Sequence, residues 1–123
     1  MHQFAGGTRV LAQTSENITD AFELFVSLLS EGRYYDAHEA IETLWYPRRF
    51  DNENEVKVWK GFINAAVSFE LIKRGRSEPS EKAWKTYLKY RERIEGIVTP
   101  HKELYVRIAQ FIEQHRGILC PNF

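Results

Sequence analysis

The sequence lacks the features that mark exported, membrane-bound and strongly charged proteins. Its single cysteine, Cys120, cannot form an internal disulfide, which is typical of a reducing compartment and predicts a cytoplasmic protein. No run of about 18 apolar residues occurs, so we expect neither a membrane span nor a membrane partner. Seventeen basic residues balance seventeen acidic ones, and a neutral chain lacks the field that non-specific nucleic-acid binding requires. Nucleic acid is therefore not an expected partner.

The motifs of several enzyme classes are absent as well. The sequence contains no glycine-rich phosphate-binding motif and no serine nucleophile elbow. It also has no His-Glu-x-x-His zinc signature and no Glu-x-x-His pair of the kind that holds iron in helical bundles. Motifs alone therefore do not assign an enzyme activity.

The composition predicts a folded helical domain. Hydrophobic residues make up 43% of the 123 residues and aromatic residues 14%, which is enough for a core without disulfides. Apolar residues recur at helical spacing in five segments, and no segment alternates as a β-strand does. The sequence thus predicts an all-α, single-domain bundle of about five antiparallel helices built from helical hairpins. A tetratricopeptide-like solenoid is the second interpretation, because the first hairpin is only weakly repeated.

Start and stop signals divide the chain into three parts. We expect an irregular N-terminal arm over residues 1–18, the bundle over residues 19–117 and a C-terminal tail over residues 118–123. The approximate helix ranges are 17 or 19 to 31, 34–46, 55–74, 81–97 and 100–116. Ser80 and Thr99 are the expected N-caps of the last two helices, and Gly32, Gly75 and Gly117 are the expected helix stops.

The densest group of chemically active residues lies in the predicted second helix, within the segment GRYYDAHEAIETLW from Gly32 to Trp45. At 100° per residue, His38 and Glu42 lie at the edge of its apolar face, and Tyr35 flanks them. Glu39 points to solvent. The i,i+4 spacing lets His38 and Glu42 act on one ligand or on each other.

The predicted third helix is apolar almost all round, which is typical of a central helix. Its Gly61 costs about 1 kcal/mol of helix stability against alanine, so we expect a neighbouring helix to approach closely there. Glu70 lies in the middle of an apolar face of this helix. A buried carboxylate needs a partner, so Glu70 is expected to face the second helix.

Two hypotheses follow for these polar residues. In the first, the chain is a structural or interaction domain, and His38, Glu42 and Glu70 form a polar network that fixes the packing of the second and third helices. In the second, the same three residues bind a divalent metal or a small ligand, because a His/Glu/Glu set occurs in several hydrolytic zinc sites. Glu39 is then a candidate base for a hydrolase.

The segment from Gly32 to Trp45 resembles the signature of the domain of unknown function 309 family, which reads roughly Gly-x-Tyr-x-Glu-Ala-His-Glu-x-x-Glu-x-x-Trp. The resemblance continues through Lys60-Gly61-Phe62-Ile63-Asn64 and covers about residues 21–97. It implies a small helical protein and no established activity. With the residues of this motif included, the expected binding residues are Tyr35, His38, Glu42, Trp45 and Asn64.

This chain departs from the family pattern at Glu70, where histidine is expected, and the change alters the charge of any shared site. The abundant apolar surface also leads us to expect self-association into a homo-oligomer.

Overall fold

A computed structural model describes residues 15–121 of the chain. Within this range the backbone forms five α-helices and two short 3-10 helices and contains no β-strand. The α-helices are α1 (Ser15–Ser30), α2 (Tyr34–Trp45), α3 (Asn54–Lys73), α4 (Ser77–Arg91) and α5 (Lys102–Leu119), and the 3-10 helices are Tyr46–Arg48 and Glu92–Gly96. The predicted all-α bundle is confirmed. Residues 1–14 of the predicted arm and the last two residues of the predicted tail lie outside the described residues.

The third helix, α3, is the centre of the bundle. Ten of its 20 residues are buried and cover most of its circumference, while the side that carries Lys60, Asn64 and Val67 is partly exposed. Phe62 shows how this happens, because its ring contacts aromatic rings from three other helices. The ring centroids lie 5.7 Å from Phe22 in α1, 6.3 Å from Tyr87 in α4 and 6.0 Å from Tyr105 in α5. One hydrophobic cluster thus joins the helices around α3.

Helices α3 and α4 pack as an antiparallel hairpin. At one end Ser80 is buried, and its hydroxyl donates a hydrogen bond of 3.0 Å to the backbone oxygen of Ser68. Further along, a side chain at Gly61 would meet Cβ of Tyr90 at 3.0 Å. The close helix approach predicted at Gly61 is therefore confirmed.

The predicted start of α4 was wrong. The helix begins at Ser77, so Pro79 lies within its first turn, where the missing backbone N–H of proline has no helical partner to lose. Ser80 is consequently not the N-cap. It lies inside the helix, and its hydroxyl joins α4 to α3 instead.

The outer helix ends also differ from the predictions. Helix α1 begins at Ser15, inside the predicted arm, and the carboxylate of Glu16 in its first turn interacts favourably with the helix dipole. Helix α5 continues through Gly117 to Leu119, because the backbone N–H of Cys120 still donates to the carbonyl of Arg116, at 2.8 Å. Two residues of the predicted tail are therefore helical.

A buried chain of hydrogen bonds positions the start of α5 against α3. The indole N–H of Trp59 donates to the hydroxyl of Tyr105 at 2.8 Å, and that hydroxyl donates to Glu55 at 2.5 Å. Thr99 also donates to Glu55, at 3.0 Å, and accepts the backbone N–H of His101. The N-cap of α5 is His101, so the prediction of Thr99 as the N-cap was wrong, and Thr99 instead ties the preceding loop to α3. No helix within residues 15–121 is both long and apolar enough to cross a membrane.

The two glycines inside helices allow a matched test of the close approach at Gly61. We expect Gly61→Ala to stabilise the protein less than Gly117→Ala, or to destabilise it, although alanine gains about 1 kcal/mol of helix propensity in a helix interior. At Gly61 the new methyl group pushes against Tyr90, whereas nothing lies within 4 Å of it at Gly117. Urea unfolding of both variants measures the difference. An equal gain at both positions would contradict the close packing.

Candidate functional site

His38 is half-buried on α2, and both of its ring nitrogens face oxygen atoms of the same helix. Nδ1 lies 3.0 Å from the backbone oxygen of Tyr35, and Nε2 lies 3.1 Å from Oε1 of Glu42. The first contact spans one turn backward and the second spans the i,i+4 distance forward. The helix therefore fixes the imidazole ring and leaves neither nitrogen open while both contacts hold.

Glu70 is paired within α3. Its Oε2 accepts a hydrogen bond of 2.7 Å from Nε of Arg74, again at i,i+4 spacing, and the Glu70 side chain is 18% exposed. The expected partner of this half-buried carboxylate is thus an arginine of its own helix. The hydrogen bonds of His38, Glu42 and Glu70 all stay within single helices, so these residues do not join α2 to α3 by hydrogen bonds.

The predicted metal site is not formed. Between residues 15 and 121 no group of three His, Cys, Asp or Glu side chains is placed to hold a metal ion. The physical reason is pairing within each helix, because Glu70 pairs with Arg74 and His38 pairs with Glu42. A guanidinium group beside Glu70 also repels a divalent cation. His38, Glu42 and Glu70 therefore do not converge on one point in this structure.

His38 and Glu70 nevertheless share a cleft of about 210 Å³ between α2, the last turns of α3 and the start of α4. The cleft combines aromatic, aliphatic and charged side chains. Its lining residues are Tyr34, Tyr35, His38, Val67, Glu70, Leu71, Arg74 and Arg76. The prediction that Glu70 faces α2 agrees with this placement. An apolar floor with a few polar groups at its rim is the usual composition of a small-ligand site.

The other predicted site residues lie outside this cleft. Glu42 is turned to His38, and Glu39 is exposed beside Tyr35, where its negative charge raises the pKa of the Tyr35 phenol. The amide of Asn64 donates to the backbone oxygen of Lys60 at 2.9 Å, and Trp45 packs edge-on against a neighbouring tyrosine. Of the five expected binding residues, the cleft therefore contains Tyr35 and His38.

The sequence places the arginines of the cleft in a basic group, for which a solvated outer face is the favoured interpretation and a local anion-binding surface is the alternative. Arg74 and Arg76 flank Gly75, whose φ of 75° ends α3 in the left-handed conformation. The backbone N–H of Arg76 donates to the carbonyl of Leu71 at 2.8 Å, and that of Gly75 donates to Ile72 at 2.9 Å. These two bonds define a Schellman turn, which turns the chain back toward the cleft. The glycine stop was predicted, but its effect of bringing the side chains on either side of it to the cleft was not.

Tyr34 forms one wall of the cleft and is held from behind by α5. Its hydroxyl lies 2.7 Å from Nε2 of His115, and the His115 ring stacks on Phe111. Burial and the nearby charge of Glu70 raise the pKa of Tyr34, while burial lowers the pKa of His115. Both groups are therefore neutral near pH 7 and share one hydrogen bond.

Comparisons with known proteins give one match. A family model described as "Domain of unknown function (DUF309)" matches residues 22–82. This range includes α2, α3 and all the residues that line the cleft, with their connecting turns. No curated protein and no solved structure matches the chain.

The half-buried His115 predicts that stability depends on pH. Its pKa is lower in the folded protein than the ordinary value of about 6.5, so the unfolded chain takes up a proton first as the pH falls. The stability contributed by neutral His115 is therefore complete above pH 6.5 and decreases as the pH falls toward the folded pKa. We expect His115→Gln to show a smaller loss of unfolding free energy between pH 7.5 and 5.5 than the wild type.

A second variant separates burial from hydrogen bonding as the cause. Tyr34→Phe removes the hydroxyl but leaves His115 buried, so it is expected to keep the wild-type pH dependence at a lower absolute stability. Urea unfolding at each pH measures both effects. A wild-type pH dependence in His115→Gln would show that another group is responsible.

Proposed function

The chain belongs to the DUF309 family, and from the geometry of its cleft we propose that it is a binding domain that takes a small molecule between α2 and α3. The proposal rests on one observation, that the cleft combines an apolar floor with a polar rim. Val67 and Leu71 supply the floor, and Tyr34 and Tyr35 supply aromatic walls. A ligand that covers such surfaces removes them from water, which makes the free energy of binding more favourable.

The side chains that form the walls of the cleft are held in place by hydrogen bonds without a ligand. Tyr34 is buried and its hydroxyl is fixed by His115. The His38 ring is fixed by Tyr35 and Glu42 on the other side. A ligand therefore meets side chains that have already lost much of their rotational freedom, which lowers the entropic cost of binding.

The size of the cleft limits the ligand. About 210 Å³ is below the range of roughly 300–1,000 Å³ that is common for drug-sized ligands. The cleft therefore suits a molecule with one ring or a short chain. We propose binding rather than catalysis, because His38 is held between two oxygen atoms and Glu39, the candidate base, does not line the cleft.

A fragment library screened by NMR against the isotope-labelled protein tests the proposal. We expect hits with one aromatic ring to shift the amide signals of Val67, Leu71 and His38. Tyr35→Ala should weaken the hits about fivefold, because loss of an aromatic contact costs roughly 1 kcal/mol. Tyr46→Ala is the matched control, since both tyrosines are 53% exposed and Tyr46 lies outside the cleft. Hits that avoid these amides, or equal effects of the two substitutions, would refute the proposal.

Self-association is a second candidate role, supported by an apolar strip along α5. Leu104, Phe111 and Ile118 follow each other at seven-residue spacing and so lie on nearly the same side of the helix. Ile118 is 75% exposed, and the other two line a groove against α1. Glu23 and Arg107 also line this groove, so two copies related by a twofold axis can pair the carboxylate of one with the guanidinium of the other.

Light scattering tests this second role. We expect a dimer at high protein concentration, and we expect Ile118→Glu to shift it to monomer because the new charge is buried in the interface. Val98→Glu is the control, since Val98 is fully exposed and lies in the loop before α5. A monomeric wild-type protein at millimolar concentration would exclude the dimer.

A further inference from the structure

We propose that the molecule bound in the cleft is a small organic acid, with an oxyanion group held by Arg76 and Arg74 and an apolar part on Val67 and Leu71. This inference rests on the proposed binding function and adds the chemical class of the ligand. It starts from the charges of the lining residues, which include two guanidinium groups and one carboxylate.

The carboxylate of the cleft is already compensated. Glu70 accepts the hydrogen bond from Nε of Arg74, and its side chain is largely buried. A cationic ligand would have to displace this pair and also approach Arg76. Its positive charge would be repelled by the guanidinium groups of Arg74 and Arg76, so the cleft disfavours cations.

Arg76 is the group with open binding capacity. Its side chain is exposed and makes no hydrogen bond or ion pair with any residue from 15 to 121. Arg74 contributes further donors, because Nε is its only guanidinium nitrogen that hydrogen-bonds in the same part of the chain. A guanidinium group presents its N–H bonds in a planar fork that matches the oxygens of a carboxylate or a phosphate.

The turn between α3 and α4 brings the two arginines to one ligand. Arg74 is the C-cap of α3, and Arg76 is the N-cap of α4. Gly75 between them takes a φ of 75°, and the backbone bond from Arg76 to Leu71 closes the turn. Hydrogen bonds thus fix the backbone positions of the two arginines, while their side chains remain free to rotate toward a ligand.

The floor of the cleft excludes a bare inorganic anion as the preferred ligand. Val67 and Leu71 offer no hydrogen-bond donors, and an ion on Arg76 would leave their surface in contact with water. A molecule with both an apolar part and an oxyanion group uses both halves of the cleft. This separates an organic acid from phosphate or sulfate.

Three probes of similar shape test the inference, namely phenylacetate, benzylphosphonate and phenylacetamide. We expect both acids to bind in the cleft about tenfold more tightly than the neutral amide, since a charge-assisted hydrogen bond adds this order of affinity. NMR titration of the full chain gives the site and the dissociation constants together. Raising the salt concentration from about 50 to about 500 mM should weaken the acids and leave the amide nearly unchanged.

Substitution of the exposed arginine provides the decisive comparison. Arg76→Gln should abolish most of the preference for the acids, while Lys85→Gln, which removes an exposed cation of α4 outside the cleft, should preserve it. Circular dichroism confirms that both variants remain folded.

The outcomes separate the two proposals. If the acids bind no more tightly than the amide, or if their preference survives in Arg76→Gln, the assignment of an acidic ligand is wrong while the binding function stands. If only inorganic phosphate binds, and binds at Arg76, the organic part of the assignment is wrong. If no fragment of any kind shifts the amides of the cleft, both proposals are wrong.

Discussion

The close packing of α3 by its neighbours is the constraint on which the rest of the structure depends. Most of the circumference of α3 is apolar and must be covered, and Gly61 lets α4 approach so closely that a side chain at this position would meet Cβ of Tyr90 at 3.0 Å. The aromatic ring of Phe62 then fills the space between α1, α4 and α5. The side of α3 that carries Asn64, Val67 and Leu71 is only partly covered, and it runs between the two ends of the helix.

The cleft lies at one of these ends, where two left-handed glycine turns meet. Gly32 separates α1 from α2 and Gly75 separates α3 from α4, each with a positive φ. Lys73 joins the two turns, because its ammonium group donates to the backbone oxygen of Gly32 at 3.2 Å. The side chains next to these turns belong to different helices but point into one space. The candidate site therefore depends on the turns at Gly32 and Gly75 as well as on the α2 motif.

Helical periodicity was sufficient to predict the faces of α2 and α3, because those faces depend on a fixed angle per residue. It correctly placed Glu39 in solvent and His38 at the boundary of the apolar face. Periodicity contains no information on which partner a charged side chain chooses. The pairing of Glu70 with Arg74 rather than with α2, and the contact of Tyr34 with His115 over 81 residues, depend on rotamers and tertiary packing. The predicted start of α4 lies too late in the chain, because a proline such as Pro79 usually indicates a loop although the first helical turn also tolerates it.

The two i,i+4 pairs also explain why His38, Glu42 and Glu70 do not converge on one point, although all three are potential metal ligands. A metal requires several free donor atoms that converge on one point, whereas pairing along a helix directs each donor toward its own neighbour. The His38–Glu42 and Glu70–Arg74 pairs leave the carboxylates and the imidazole occupied. The groups that remain available at the cleft are the donors of Arg76 and the outer nitrogens of Arg74, next to uncovered aliphatic carbon. These groups, left over after internal pairing, are the ones on which our proposal of an anionic ligand with an apolar part rests.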